Sequence, residues 1–430
     1  LNDRSKMYYS PNPENNVFSL TVRYGAGTRE FPKLGIAANL MNNAGIMGTY
    51  EPQQLKEELS KLNATCHVSA DDDYLYVTMR GYEETLPQAC QLLARQILMP
   101  KLDDKQLSRI KGSMLGTRQQ RKENVALLAD ALFQYIRYQN KSDYIEELTD
   151  KEVYELQISE LTGDINRASN YEAEIFYCGT LPFDNAYEIL SKNLPLVANE
   201  RPTTSPQDKP LAQVTENTVY FLPNSDAEQA QVYLYMPMQK YDKKDDVLRD
   251  AFYQYFSGGF NGLVINEIRE KRSMAYTAGA YVSTPSLPGN PTYLIGRIGT
   301  QNDKANDAID VFMELISDMP KNAERIENIK SYMRQEALTS HPDFRYKAQY
   351  LRMYQRMGYQ GDPAEENLKK IDALTFDDIV KFYEENIKGK PYCIGIMGNP
   401  KDIDLKKLEK YGKVVKLNER KLFNTKDALF

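Results

Sequence analysis

Three pairs of residues recur at one spacing. Tyr74 and Tyr293, Lys111 and Lys330, and Gly179 and Gly398 each stand 219 residues apart. The strings around them correspond. Tyr-Leu-Tyr-Val-Thr-Met-Arg-Gly from Tyr74 and Tyr-Leu-Ile-Gly-Arg-Ile-Gly-Thr from Tyr293 each lead into a helical stretch, then Pro100 or Pro320, then a second helix through Ile110-Lys111 or Ile329-Lys330. The runs ending at Pro182 and Pro400 are both short apolar strands closed by a turn. A duplication of this length means two similar domains rather than one large core. The turn-rich, apolar-poor run Arg201–Pro210 reads as the linker, which predicts domains 1–205 and 206–430.

Hydrophobic periodicity supplies the elements. In the first domain it predicts strand Val17–Tyr24, helices Gly35–Ala44 and Pro52–Leu62, strands Thr65–Ala70 and Tyr74–Arg80, helices Thr85–Met99, Asp103–Gln119, Ala126–Tyr138 and Lys151–Leu161, then strand Glu174–Cys178. In the second it predicts strand Val232–Pro237, helices Asp246–Phe256 and Gly262–Lys271, and strands Thr277–Ser283 and Thr292–Gly299. Helices Lys304–Met319, Ala323–Thr339, Phe344–Met357 and Thr375–Asn386 and strand Tyr392–Met397 complete it. Paired strands with no crossover helix between them, such as those within Thr65–Arg80, argue against a doubly wound parallel sheet. The expected class is α+β, each domain a largely antiparallel sheet with helices gathered against one side.

Composition narrows function. A formal charge of −6 gives no broad basic field, so a nucleic-acid partner is not expected. No apolar run approaches a transmembrane span. Gly25-Ala26-Gly27 lacks the nucleotide fingerprint. Cys66, Cys90, Cys178 and Cys393 are too scattered for a metal hairpin or disulfide framework and read as core fillers. With only His67 and His341, a site of two or three imidazoles would need both or a second chain. His67 reads as strand and His341 as a helix end, both structural or exposed.

Two strings carry a resemblance. The first is Gly35-Ile36-Ala37-Ala38-Asn39-Leu40-Met41-Asn42-Asn43. The second is Gly258-Gly259-Phe260-Asn261-Gly262-Leu263-Val264-Ile265-Asn266-Glu267-Ile268-Arg269-Glu270-Lys271-Arg272-Ser273-Met274-Ala275-Tyr276. With the repeated architecture, they make the whole chain resemble the pitrilysin-type zinc metallopeptidases, the M16 peptidase family. The first resembles the family's inverted zinc motif, His-x-x-Glu-His in a helix preceded by Gly-Leu-Ala, with the motif positions on Ala38, Met41 and Asn42. Both imidazoles and the general-base carboxylate are absent. Alanine has no donor atom, a thioether is a poor zinc ligand and an amide is no anionic base. The further glutamate ligand implied by the resemblance falls near Gln119–Glu123, where Glu123 alone cannot hold a catalytic ion, so no metal is expected in this chain.

The second string resembles the family's Leu-Arg-Glu-Lys-x-x-x-x-Tyr, in which an arginine and a tyrosine of the noncatalytic half face the zinc site. Arg269 and Tyr276 match it. An arginine fork can hold substrate carbonyl or carboxylate oxygens, and a phenol can hydrogen-bond a developing oxyanion. Read without the family, Arg269 is a helix C-terminal charge paired with Glu267, Glu270 or solvent, and Tyr276 a cross-strand aromatic. Gly258, Gly259 and Gly262 predict a tight turn with positive φ, and Gly258 and Gly259 are candidate peptide contacts. Asp71-Asp72-Asp73 reads as a solvated turn rather than a cation site. Tyr346, Tyr350 and Tyr354 form a helical stripe that reads as packing.

The resemblance implies a noncatalytic half of a zinc-dependent peptidase. It would form part of a chamber and supply Arg269 and Tyr276 to a His-x-x-Glu-His half that carries the zinc, acting on a peptide or unfolded polypeptide. Leu1-Asn2-Asp3-Arg4 lacks a methionine or signal pattern, and the linker-like run Leu1–Asn16 reads as a junction to an upstream zinc half, a separate subunit being the other possibility. A catalytically inactive structural or peptide-binding protein is the alternative. Ser257 and Ser273 offer no nucleophile with an evident base, so a self-contained site is not expected. Compartment stays open between the cell envelope, including the periplasm, and the cytoplasm.

Overall fold

A computed structural model describes residues 5–121, 123–194, 196 and 201–426. The strands are β1 (Lys6–Pro11), β2 (Val17–Tyr24), β3 (Gly45–Ile46), β4 (Thr65–Ala70), β5 (Leu75–Tyr82), β6 (Pro100–Lys101), β7 (Ala173–Gly179), β8 (Thr218–Pro223), β9 (Gln229–Lys240), β10 (Ala275–Ser283), β11 (Pro291–Gln301), β12 (Cys393–Gly398) and β13 (Lys413–Lys416). They build a five-stranded sheet of order β1-β7-β2-β5-β4, a six-stranded sheet of order β10-β11-β9-β12-β8-β13, and the small ribbon β3-β6. Both large sheets are mainly antiparallel. The parallel pairs are β1 with β7 and β8 with both β12 and β13.

The chain therefore comprises two homologous α+β domains. Their correspondence extends to hydrogen bonds at the 219-residue spacing. Lys111 Nζ donates to the Tyr154 carbonyl at 2.8 Å, and Lys330 Nζ to those of Asp372 at 2.8 Å and Leu374 at 3.2 Å. Ala373, between the last two, is the counterpart of Tyr154. Glu83 accepts from the Thr180 and Leu181 amides after β7, and its counterpart Asn302 accepts from the Asn399 amide after β12.

The first compact unit comprises Leu1–Leu115, Glu152–Gln207 and Pro342–Met353, and the second Gly116–Lys151, Asp208–His341 and Tyr354–Phe430. The helix Val125–Tyr138 groups with the second sheet, while Pro342–Met353, which includes most of the segment corresponding to that helix, groups with the first.

In the first unit, one face of β2 buries Phe18, Leu20, Val22 and Tyr24 completely. Leu75, Val77 and Met79 of β5 alternate inward beside them. The helix Leu34–Met41 packs on β4, and Leu86–Leu98 on β5. The Tyr24 hydroxyl is buried and among the described residues has no hydrogen-bond partner. Its removal in Tyr24→Phe is expected to leave stability unchanged or raise it by up to about 1 kcal/mol in denaturant titration.

In the second unit both sheet faces are covered, which corrects the expectation of helices on one side. Val232, Leu234 and Met236 of β9 and Ile394 and Ile396 of β12 pack with the helices Asp246–Phe256, Ala305–Ser317 and Phe376–Asn386. On the other face Tyr233, Tyr235, Cys393 and Met397 pack under Leu128, Leu132 and Ile136 of Val125–Tyr138. The physical reason is that both alternating sets of β9 are apolar, so a half-solvated sheet would leave one set wet.

Other departures are local. The supposed linker-like opening contains β1, whose residues pair with β7 from Lys6 opposite Glu174 to Pro11 opposite Gly179; Leu1–Arg4 lie outside the described residues. The expected helix Lys151–Leu161 is two, Asp150–Glu155 and Ile158–Ala168. Strands β8 and β13 and the helices Phe183–Asn193 and Pro363–Ala373 were not predicted. Among the described residues no helix is long and apolar enough to cross a membrane.

Candidate functional site

The degenerate motif lies on the helix Leu34–Met41 and its C-terminal cap. Ala38 and Met41 are each 1% exposed and belong to the core. Asn42 joins the helix to the sheet: its Nδ2 donates to the Val68 carbonyl at 2.9 Å and the Ala38 carbonyl at 3.3 Å, and its Oδ1 accepts from the Val68 amide at 2.8 Å. A carboxamide can pair with the backbone N–H and C=O of one residue at once, which neither a carboxylate nor a single imidazole tautomer does in the same way. These side chains do not fit zinc. Among the described residues no group of three His, Cys, Asp or Glu is placed to hold a metal ion. Glu123 is exposed, as is His67; His341 Nε2 lies 3.0 Å from the Leu338 carbonyl oxygen. Asn42→Ala is expected to cost about 2 kcal/mol in denaturant titration, because it frees both Val68 backbone groups beneath the helix.

The second string adopts a less regular form than the expected helix Gly262–Lys271. Three α-helical residues, Leu263–Ile265, pass into a π turn, Asn266–Glu270, closed by the Lys271 amide on the Asn266 carbonyl at 2.9 Å. Ile268 is fully buried and anchors the turn. Glu267 is taken by Lys271 and Arg272, which hold its carboxyl below the usual range. Arg269 is half-exposed, and its ion-pair contact is the neighbouring Glu270, 3.6 Å from Nε. Ser273, at φ +48°, turns the chain into β10.

Tyr276 stands near the start of β10, 54% exposed, and its oxygen accepts from Gln301 Nε2 at 3.2 Å. Arg269 and Tyr276 line one cleft of about 400 Å³, with Glu270, Ser273, Gln301 and Lys304. The two residues picked out by spacing are thus brought together within the second unit.

The glycines are not part of that cleft. Gly258 and Gly259 line a separate groove of about 700 Å³ with Asn266, Glu267 and Tyr332. Positive φ is required only at Gly259, φ +53°. At Gly258 and Gly262 the constraint is space, since a Cβ would lie 2.3 Å from Gln254 Oε1 or 2.5 Å from the Ser257 backbone. Ser257 Oγ accepts the Ala280 amide of β10 at 2.7 Å, which ties the glycine turn to the edge strand.

The other candidates are structural. Asp71 accepts the Asp73 and Tyr74 amides and the Tyr76 hydroxyl, building the hairpin between β4 and β5. Tyr346 accepts from Arg80 Nη2 at 2.6 Å. Gln301 and Lys304 were missed because no motif marks them. The usable signal was pairing: β11 runs antiparallel to β10 with Thr300 opposite Ala275, so residues just past Gly299 must lie beside Tyr276.

Residues 7–143 match the profile of insulinase (peptidase family M16), and residues 169–333 that of the peptidase M16 inactive domain. No protein of curated function matches in sequence. Among solved structures, a peptidase M16 inactive domain from Pseudomonas fluorescens is similar at 17% identity and TM-score 0.71, over 92% of this chain and 96% of that one. The periplasmic protease PqqL from Escherichia coli is similar at 12% identity and TM-score 0.71, over 90% of this chain and 43% of PqqL. A mutant of the ferredoxin protease FusC, solved with Arabidopsis ferredoxin, gives 12% identity and TM-score 0.72, over 91% of this chain and 44% of FusC. The chain thus spans less than half of the last two proteins. The chain belongs to the M16 peptidase family, and Ala38, Met41 and Asn42 supply it with neither an imidazole nor a carboxylate.

Proposed function

We propose that this chain is the noncatalytic half of a zinc-dependent peptidase, with 1–205 and 206–430 as its duplicated domains. A His-x-x-Glu-His half, in the same polypeptide or a separate subunit, would hold the zinc that activates water for peptide hydrolysis. This half contributes part of the chamber wall and two substrate contacts. Arg269 holds a substrate carbonyl or carboxylate oxygen, and Tyr276 donates to the oxygen that gains charge as the scissile carbonyl becomes tetrahedral. The observation that carries the reading is the asymmetry between the strings: Ala38, Met41 and Asn42 have become core and stitching, while Arg269 and Tyr276 share an exposed cleft. Gly258 and Gly259 would contact substrate only if the peptide also ran through the neighbouring groove. Likeness to a periplasmic protease favours the cell envelope as compartment.

The test is a peptidase assay on this chain, on a His-x-x-Glu-His half, and on the two combined. Hydrolysis confined to the combined sample and abolished by chelation is the expected result. Binding of peptide to the combined sample without hydrolysis would favour an inactive peptide-binding protein, and hydrolysis by this chain alone after chelation would overturn both.

A further inference from the structure

The cleft around Arg269 and Tyr276 is lined mainly by hydrogen-bond donors. Gln301 Nε2 occupies an acceptor site of the Tyr276 oxygen, so the phenol keeps its own proton for a ligand. Ser273 adds a hydroxyl. Lys304, on the turn Asn302–Lys304 that follows β11, points Nζ at the Ser273 carbonyl at 3.4 Å. Among the described residues no carboxylate forms an ion pair with Lys304. Among the described residues Glu270 is the one carboxylate lining the cleft, and it meets Arg269 at Nε, leaving the terminal guanidinium nitrogens for a ligand. Two cations, a phenol, an amide and a hydroxyl against one carboxylate make a site that favours an anion with several acceptor lone pairs.

We propose that this cleft is a carboxylate-binding site, in which Lys304 determines specificity and Gln301 is a positioning residue that keeps the Tyr276 proton facing the ligand. The ligand is a peptide that carries its carboxylate on an acidic side chain or at its C-terminus. This rests on the functional reading above only in taking the ligand to be a peptide; the donor set stands without it. Because the cations are partly exposed, the selectivity is modest and sensitive to salt.

The test is direct binding to this chain alone, read by fluorescence anisotropy with labelled peptides of one length. One carries a central Glu and an amidated C-terminus, a second Gln and an amide, a third Gln and a free C-terminal carboxylate. At low salt at least one carboxylate-bearing peptide is expected to bind about 10-fold more tightly than the neutral one, with the gap closing as salt rises. The first and third peptides separate the two sources of the carboxylate. Lys304→Gln removes most of the gap, Lys304→Glu reverses it and Lys304→Arg keeps it. Gln301→Leu weakens binding in the parent and has no further effect in Tyr276→Phe, as it must if it acts through that phenol. Thermal melts check that each variant folds. Equal affinity for all three peptides, absence of binding into the millimolar range, or a preference indifferent to Lys304→Glu overturns the carboxylate site. An equal Gln301→Leu effect with and without the Tyr276 hydroxyl overturns the positioning role. The peptidase reading stands or falls separately, in the combined assay above.

Discussion

Replacing Glu83 with alanine is expected to destabilise the first domain by about 3 kcal/mol or more, measured by denaturant titration followed by far-UV circular dichroism. The Glu83 residue is 7% exposed, and its carboxylate accepts from the Tyr177 hydroxyl at 2.7 Å, the Leu181 amide at 3.1 Å, and both the amide and hydroxyl of Thr180. Among the described residues it has no ion-pair partner, so these donors alone stabilise its charge. Alanine would leave all four facing a dry gap. Gly179 packs directly against the carboxylate and the Tyr177 hydroxyl, leaving no room there for a Cβ. Glu83→Gln is expected to cost less, since the amide oxygen still accepts and the Thr180 hydroxyl can rotate to accept from the new NH₂.

The same cluster makes stability depend on pH. Burial alone raises the Glu83 carboxyl, but the hydrogen bonds from Thr180, Tyr177 and Leu181 outweigh it and hold the group below the usual range. A folded-state value below the unfolded one gives stability that is complete above the unfolded value and is lost as pH falls through it toward the folded value. The parent should therefore lose stability more steeply than Glu83→Gln as pH drops from about 5 to about 3.

Much of the architecture was legible because it repeats. Residues that hold the same turn twice, such as Glu83 and Asn302 or Lys111 and Lys330, leave a spacing that a single domain would not. The exchange of Val125–Tyr138 and Pro342–Met353 between the units was not legible. Leu128, Leu132 and Ile136 mark an apolar stripe that must be buried, but a stripe does not say under which sheet. The two-sided hydrophobicity of β9 calls for a second cover, a signal that the expectation of helices on one side passed over. Strand β1 escaped because Lys-Met-Tyr-Tyr-Ser-Pro has weak alternation and its partner β7 lies far along the chain. At the site, Arg269 and Tyr276 were found by their separation, whereas Gln301 and Lys304 enter only through strand pairing and a turn. The regular helix expected before Tyr276 failed at Asn266–Glu270, where the backbone widens into a π turn that periodicity cannot foretell.

The largest effect on activity is expected at Arg269 and Tyr276. Arg269→Ala should lower kcat/KM of an assembled peptidase by about 100-fold, and Tyr276→Phe by a comparable factor, the range for losing one aligned donor to a developing charge. The loss at Tyr276 should fall mainly on kcat, because the hydroxyl gains strength only as the carbonyl oxygen acquires charge. The loss at Arg269 should include KM if the guanidinium also grips the ground-state substrate. Neither variant should unfold the chain. Among the described residues Arg269 is half-exposed with one long ion-pair contact, and Tyr276→Phe gives up one exposed hydrogen bond from Gln301.

The most direct measurement is kcat and KM of the combined halves with the parent, Arg269→Ala and Tyr276→Phe chains, at matched folding and matched binding of the zinc half. The account predicts that both variants assemble normally and lose about two orders of magnitude in kcat/KM. Assembled variants as active as the parent would contradict it.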